Sequence, residues 1–104
     1  MRLSQSFFTT LRENVKDEDS VSGNLLVRAG MIKKSSAGVY MYLPLGYKVL
    51  KKIENIVREE MDQAGSQELL MPALIPEEVY VASGRRDNFG SSMFSLKDRF
   101  NKSY

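Results

Sequence analysis

The side chains able to do chemistry in this chain are carboxylates, lysines, arginines and tyrosines. Its 104 residues include no His and no Cys. The most usual general base and metal ligand is therefore missing. So are the thiol nucleophile, the disulfide framework and the thiolate metal site. Arg85-Arg86 is the sharpest basic feature, readable as a phosphate contact or as a solvated loop pair. From residue 84 to residue 104, five basic residues stand against two acidic ones, a local excess of +3. The whole chain carries only +2, too little to argue for nucleic acid by itself. Gly30, Gly38, Gly46, Gly65, Gly84 and Gly90 are too scattered for a nucleotide-binding fingerprint and read as caps and turns. No metal constellation or paired-carboxylate spacing stands out.

These residues need elements to hold them, and the clearest lies in residues 43–72. Leu45, Val49, Ile53, Ile56, Val57, Met61 and Ala64 recur at helical spacing, with Leu50 widening the stripe. The pattern predicts a helix of about five turns, entered through Pro44 and Gly46 and stopped at Gly65. By spacing alone the stripe reads as a core face. Glu54 and Arg58 form a favourable pair four residues apart. The end charges run against the macrodipole, with Lys48, Lys51 and Lys52 early and Glu59, Glu60 and Asp62 late. Packing, and not the helix ends, must then hold this helix. Two antiparallel copies would set Lys ends against Glu ends.

The remaining elements are shorter. Residues 1–19 read as a lead-in segment docking through Phe7, Phe8 and Leu11, followed by a charged loop. Ser20 caps a helix to about Ala29, with Gly30 closing it. Residues 33–38 read as a polar turn, and residues 39–43 alternate as a strand with Tyr40 and Tyr42 on one face. Residues 68–71 suggest a short strand ended by Pro72. Pro76 suits the first position of a second helix, with Glu77 and Glu78 in its first turn and Gly84 beyond it. Residues 93–96 suggest a last strand, with a hairpin turn over residues 98–102.

A chain of this length supports at most one domain. No apolar run approaches the roughly 20 residues of a bilayer span. The N-terminus lacks a signal-peptide layout, so the expected location is cytoplasmic.

The stretch RAGMIKKSSAGVYMYLPLGYKVLKKIENIVREEMDQAGSQELLMPAL resembles the opening of bacterial-type prolyl-tRNA synthetases, a class II aminoacyl-tRNA synthetase family. SQSFFTTLREN resembles the family's start, and SGRRDNFGSSMFSLKDR the segment that follows. The resemblance covers essentially all of the chain. Class II enzymes for Thr, Ser and Gly share the outline of residues 43–72, but the YMYLPLG and SGR…LKDR wording is closer to the prolyl type. The resemblance implies an α+β fold: the start of a class II catalytic domain, an antiparallel sheet flanked by helices. Residues 1–19 would be a lead-in and 20–104 the start of the catalytic core. Residues 43–72 would be motif 1, with Pro72 as its proline. Pro44, Gly46, Ile53, Val57, Met61 and Pro72 would then serve motif 1 and a homodimer interface.

The implied reaction is ATP- and Mg²⁺-dependent activation of proline, followed by transfer to tRNA(Pro). The family's Gly-Pro-Thr-x-Glu-Glu run, its motif 2 and motif 3 arginines, its editing insertion and its anticodon-binding domain do not occur in these 104 residues. The chain accordingly reads as an N-terminal piece, inactive alone, with no catalytic residue and no metal ligand of its own. Arg85 and Arg86 are the candidate substrate-side contacts. The alternative is a stand-alone, non-catalytic dimerisation or regulatory paralogue.

Overall fold

Five regular elements run through a computed structural model that describes residues 2–16 and 18–104. They are helix α1 (Val21–Arg28), strands β1 (Ile32–Ser36) and β2 (Val39–Tyr42), and helices α2 (Pro44–Gln63) and α3 (Glu77–Ala82). Two short 3-10 helices, Leu3–Gln5 and Asp87–Ser92, accompany them. The result is a small α+β assembly with one two-stranded antiparallel sheet. It divides into two units, Met1–Glu68 and Leu69–Tyr104.

In the first unit, helix α1 is capped as its sequence predicts. The Gly23 N–H donates to Ser20 Oγ at 3.1 Å, satisfying an amide the first turn leaves without a partner. At its other end the Met31 N–H reaches back to the Leu26 carbonyl at 3.0 Å, and Gly30 N–H to Val27 at 3.1 Å. Gly30 turns the chain at φ 73°. That is a Schellman closure, which favours glycine at its left-handed residue. Gly30 has a second duty: a Cβ there would stand 2.2 Å from the Thr9 carbonyl oxygen.

Of the three apolar residues expected to dock the lead-in, Phe7 and Leu11 are exposed and only Phe8 is half-buried, beside Gly30. Polar bonds supply the rest. Asn24, only 8% exposed, accepts from the Val15 N–H at 2.9 Å. Its Nδ2 donates to the carbonyls of Glu18 (2.7 Å) and Ser20 (3.1 Å). The Leu11 N–H donates to the Arg28 carbonyl at 3.0 Å.

The expected turn over residues 33–38 is mostly strand. Strands β1 and β2 pair in the register Ile32↔Tyr42, Lys33↔Met41, Lys34↔Tyr40 and Ser36↔Val39, with a bulge at the Lys34–Ser36 step. Only Ala37 and Gly38 turn, the latter at φ 74°. Ladder hydrogen bonds to β2 outweigh the weak strand preference of a Lys-Lys-Ser-Ser run. Ile32 is the one buried apolar side chain among the described residues, 8% exposed.

The sheet leads directly into α2. The Leu43 N–H donates to the Met31 carbonyl at 2.9 Å. Pro44 stands in the first turn, and Gly46 is buried against Met31, whose carbonyl oxygen would lie 2.2 Å from a Cβ. At the far end Ser66 N–H bonds the Met61 carbonyl at 3.0 Å and Gly65 adopts φ 87°, a second Schellman closure.

The core expectation for the stripe is overturned. Val49, Ile53, Ile56, Val57 and Met61 are all exposed. The cause is geometric. Twenty residues of helix run about 30 Å, whereas a four-residue strand covers about 13 Å. Strand β2, the element against which α2 packs, can shield only its first turns.

In the second unit, α3 begins at Glu77, one residue later than expected, with Pro76 as its N-cap and Glu77 and Glu78 in the first turn. Gly84 ends it at φ 71°. The loop after it winds into the 3-10 turns of Asp87–Ser92, broken at Gly90. The hairpin near the end is present. Leu96 and Tyr104 exchange backbone bonds of 3.2 and 2.9 Å around the Lys97↔Ser103 bridge. Asp98 Oδ1 accepts from the amides of Phe100 (2.8 Å) and Lys102 (2.9 Å). The strand expected over residues 93–96 pairs only from Leu96. The one expected over residues 68–71 does not form, because no other segment among the described residues supplies its ladder partner.

Candidate functional site

The exposed stripe and the turn after it form a groove of about 460 Å³. Ile53, Val57 and Met61 make its floor, and Ser66, Gln67 and Glu68 its wall. A clasp fixes that wall. Arg58 Nε donates to Glu68 Oε2 at 2.8 Å and Nη2 to Oε1 at 3.1 Å, while Nη1 reaches Asn55 Oδ1 at 2.7 Å. The two-pronged geometry suits a planar guanidinium. It holds the Glu68 carboxyl below its ordinary range and raises Arg58. The Glu54–Arg58 pairing read from sequence is thus replaced, with Glu54 acting on Arg58 only through longer-range attraction.

The other sequence-derived residues fall elsewhere. Pro44 and Gly46 sit in the first turn of α2, and Gly46 serves the Met31 contact inside the chain. Pro72 lies in an exposed irregular segment of the second unit. Arg86 braces that unit from within. Its Nε donates to Glu77 Oε1 at 2.7 Å and its Nη2 to Ser95 Oγ at 3.4 Å. The guanidinium holds the Glu77 carboxyl below its ordinary value. Glu77 in turn ties the hairpin to α3, its amide donating to the Ser103 carbonyl at 3.1 Å. Arg85 is exposed, and only its backbone is engaged, bonding to Tyr80 and Asn88.

Sequence reasoning missed a third cluster. The Tyr40 hydroxyl donates to Glu18 Oε2. Ser20 Oγ donates to Glu18 Oε1 at 2.7 Å, and the Ser20 amide to the same oxygen at 3.2 Å. Above all the Tyr40 bond, and then the two from Ser20, lower the Glu18 carboxyl to about 2. The same carboxylate raises the Tyr40 hydroxyl. Nothing in the spacing joins positions 22 residues apart. Asn24 did carry a signal, as the one amide among the apolar positions of a short helix.

Among the described residues, no three carboxylates converge as a metal site. No helix of the described residues is long and apolar enough to cross a membrane.

No family profile matches the chain. Individual sequences do. A proline–tRNA ligase of Finegoldia magna is 53% identical over all 104 residues, and those of Fusobacterium nucleatum and Thermosipho melanesiensis are 53% and 55% identical over the same span. Over its whole length the chain is homologous to the N-terminal part of proline–tRNA ligases. It spans 18% of the length of these relatives. The prolyl character read from YMYLPLG and SGR…LKDR is thereby confirmed at the level of family resemblance.

Proposed function

We propose that this chain is the opening part of a class II catalytic domain that attaches proline to tRNA(Pro) through a prolyl-adenylate. The observation that carries the reading is identity of about one half, sustained over all 104 residues, to enzymes named for that reaction. ATP with Mg²⁺, proline and tRNA(Pro) are the substrates of the proposed enzyme, and the cytoplasm its location. The groups that hold ATP and Mg²⁺ are assigned to chain outside these 104 residues.

The chain's own part is scaffolding and pairing. Residues 43–72 act as motif 1, and the exposed face of α2 meets the same face of a second copy. Its apolar stripe supports this reading, since isolated helices seldom leave so many large side chains in water. The experiment is proline-dependent ATP–pyrophosphate exchange. The 104-residue chain alone should give none. The same chain joined to the remaining four-fifths of a relative should exchange with proline and not with threonine or serine. A joined protein that folds and does not exchange sinks the reading.

A further inference from the structure

The second unit holds a cavity of about 300 Å³ lined entirely by its own residues. The hairpin builds one wall. Leu96 and Tyr104 exchange backbone bonds, which makes Lys97 and Ser103 the adjacent pair of the antiparallel ladder. Side chains of such a pair stand close together on one face. Helix α3 supplies Glu77, the loop after it Arg86, and the approach to the hairpin Ser95. The charged side chains of the lining are Arg86, Lys97 and Glu77, two cations against one anion.

The anion is already satisfied from within. Above all the Arg86 bond, with help from the Ser103 hydroxyl and the charge of Lys97, lowers the Glu77 carboxyl. That bond runs from Arg86 Nε at 2.7 Å, and Nη2 reaches Ser95 Oγ at 3.4 Å. Together they use two of the five N–H donors of a guanidinium. Glu77 thus fixes the Arg86 side chain and leaves its Nη1 donors for a further acceptor. The Arg86 and Glu77 side chains are only 30% and 34% exposed, so charges here are screened less than on the open surface. We propose that Arg86, Lys97 and Ser95 form a binding site for a single phosphate group. Arginine offers a planar fork and lysine a point charge, a combination suited to a tetrahedral oxyanion. Ser95 adds a hydroxyl. Arg86 counters Glu77, and Lys97 remains to balance the ligand. The volume stands at the small end of ligand cavities, roughly 300–1,000 Å³. It admits one phosphate on a small carrier, and neither a nucleotide nor a strand of nucleic acid. The site does not rest on the function proposed above.

The test is a titration with inorganic phosphate followed by amide NMR, at ionic strength held constant with sodium chloride. The C-terminus is amidated, so that no terminal carboxylate competes at Tyr104. The amides of Ser95, Lys97 and Ser103 should shift along saturating curves. Lys97→Gln should weaken binding about tenfold, the share of one bond to a charged group. Arg86→Lys keeps the charge and loses the fork, and should weaken binding as well. Arg12→Gln, which loses one positive charge in the first unit, should bind as the unaltered chain does. Circular dichroism checks the fold of each variant. Acetate should bind more weakly than phosphate. Glycerol 3-phosphate separates an ester from the free ion: saturation by either supports the site, and the tighter of the two names the source. Shifts that rise linearly without saturating, equal loss in Arg12→Gln, or unchanged binding by Lys97→Gln overturns the site. Acetate binding as tightly as phosphate overturns the ligand class.

Discussion

Glu18 shows how much a single exposed carboxyl can organise. One of its oxygens accepts from Tyr40 of β2 and the other from Ser20 at the head of α1. With its folded value near 2 against an ordinary value of 4.5, its contribution is complete above about 4.5. It is lost as pH falls through 2. Carboxyl-detected NMR titration should place Glu18 near 2 and show Tyr40 titrating above its ordinary range. Tyr40→Phe should raise the Glu18 value toward 4.5 and weaken the acid limb of the stability curve, the two Ser20 bonds keeping part of the depression. A Glu18 midpoint near 4.5 in the unaltered chain would mean the latch does not form.

At the scale of elements, the way into α2 is the demanding step. Gly46 is a helical residue, where alanine ordinarily gains about 0.5–1 kcal/mol. Here the Met31 backbone occupies the place of a methyl group, closer than any Cβ contact tolerates. Overpacking of that kind costs about 1–3 kcal/mol. Gly46→Ala should therefore lower the thermal midpoint, and a rise in chemical-denaturation stability would refute the contact. Much of this level was legible in the sequence. The spacing from Leu45 to Met61 located α2, and Ser20, Gly30 and Gly65 located three helix ends. These features are local, which is why one chain of letters carries them. Strand β1 was not legible, because Lys33–Lys34–Ser35–Ser36 becomes strand only through its register with β2. The strand expected over residues 68–71 failed for the converse reason: a suitable composition without a partner makes no ladder. The contact between Gly46 and Met31, like the bonds of Asn24, joins segments whose approach no periodicity announces.

Neither unit closes a large core, Ile32 being the one buried apolar side chain among the described residues. Most of the large apolar side chains are exposed, Ile53 at 52% among them. Sequence spacing made Ile53 a core position, where a charge would abolish folding or assembly. Its exposure in the structure leaves assembly as the property at stake. Ile53→Asp should keep its circular dichroism spectrum and change its thermal midpoint little, within about 0.5 kcal/mol for a surface site. It should abolish self-association measured by sedimentation velocity, where the unaltered chain is expected to run as a dimer if the proposed pairing holds. Unfolding on substitution would return the stripe to the core, and a monomeric unaltered chain would remove its proposed partner. Side-chain partners were the least legible. Arg86, read as a candidate substrate-side contact, bonds Glu77 and Ser95, and only position in space could reveal that.

The bonds that close the first unit all span short stretches of chain. The longest named above, from Glu18 to Tyr40, bridges 22 residues. Loop-closure entropy grows only with the logarithm of length, and low contact order goes with fast folding. A nascent chain that has exposed little more than Gly46 already holds both partners of every contact around α1 and the sheet. Vectorial synthesis can thus complete the contacts around α1 and the sheet before the second unit has been made.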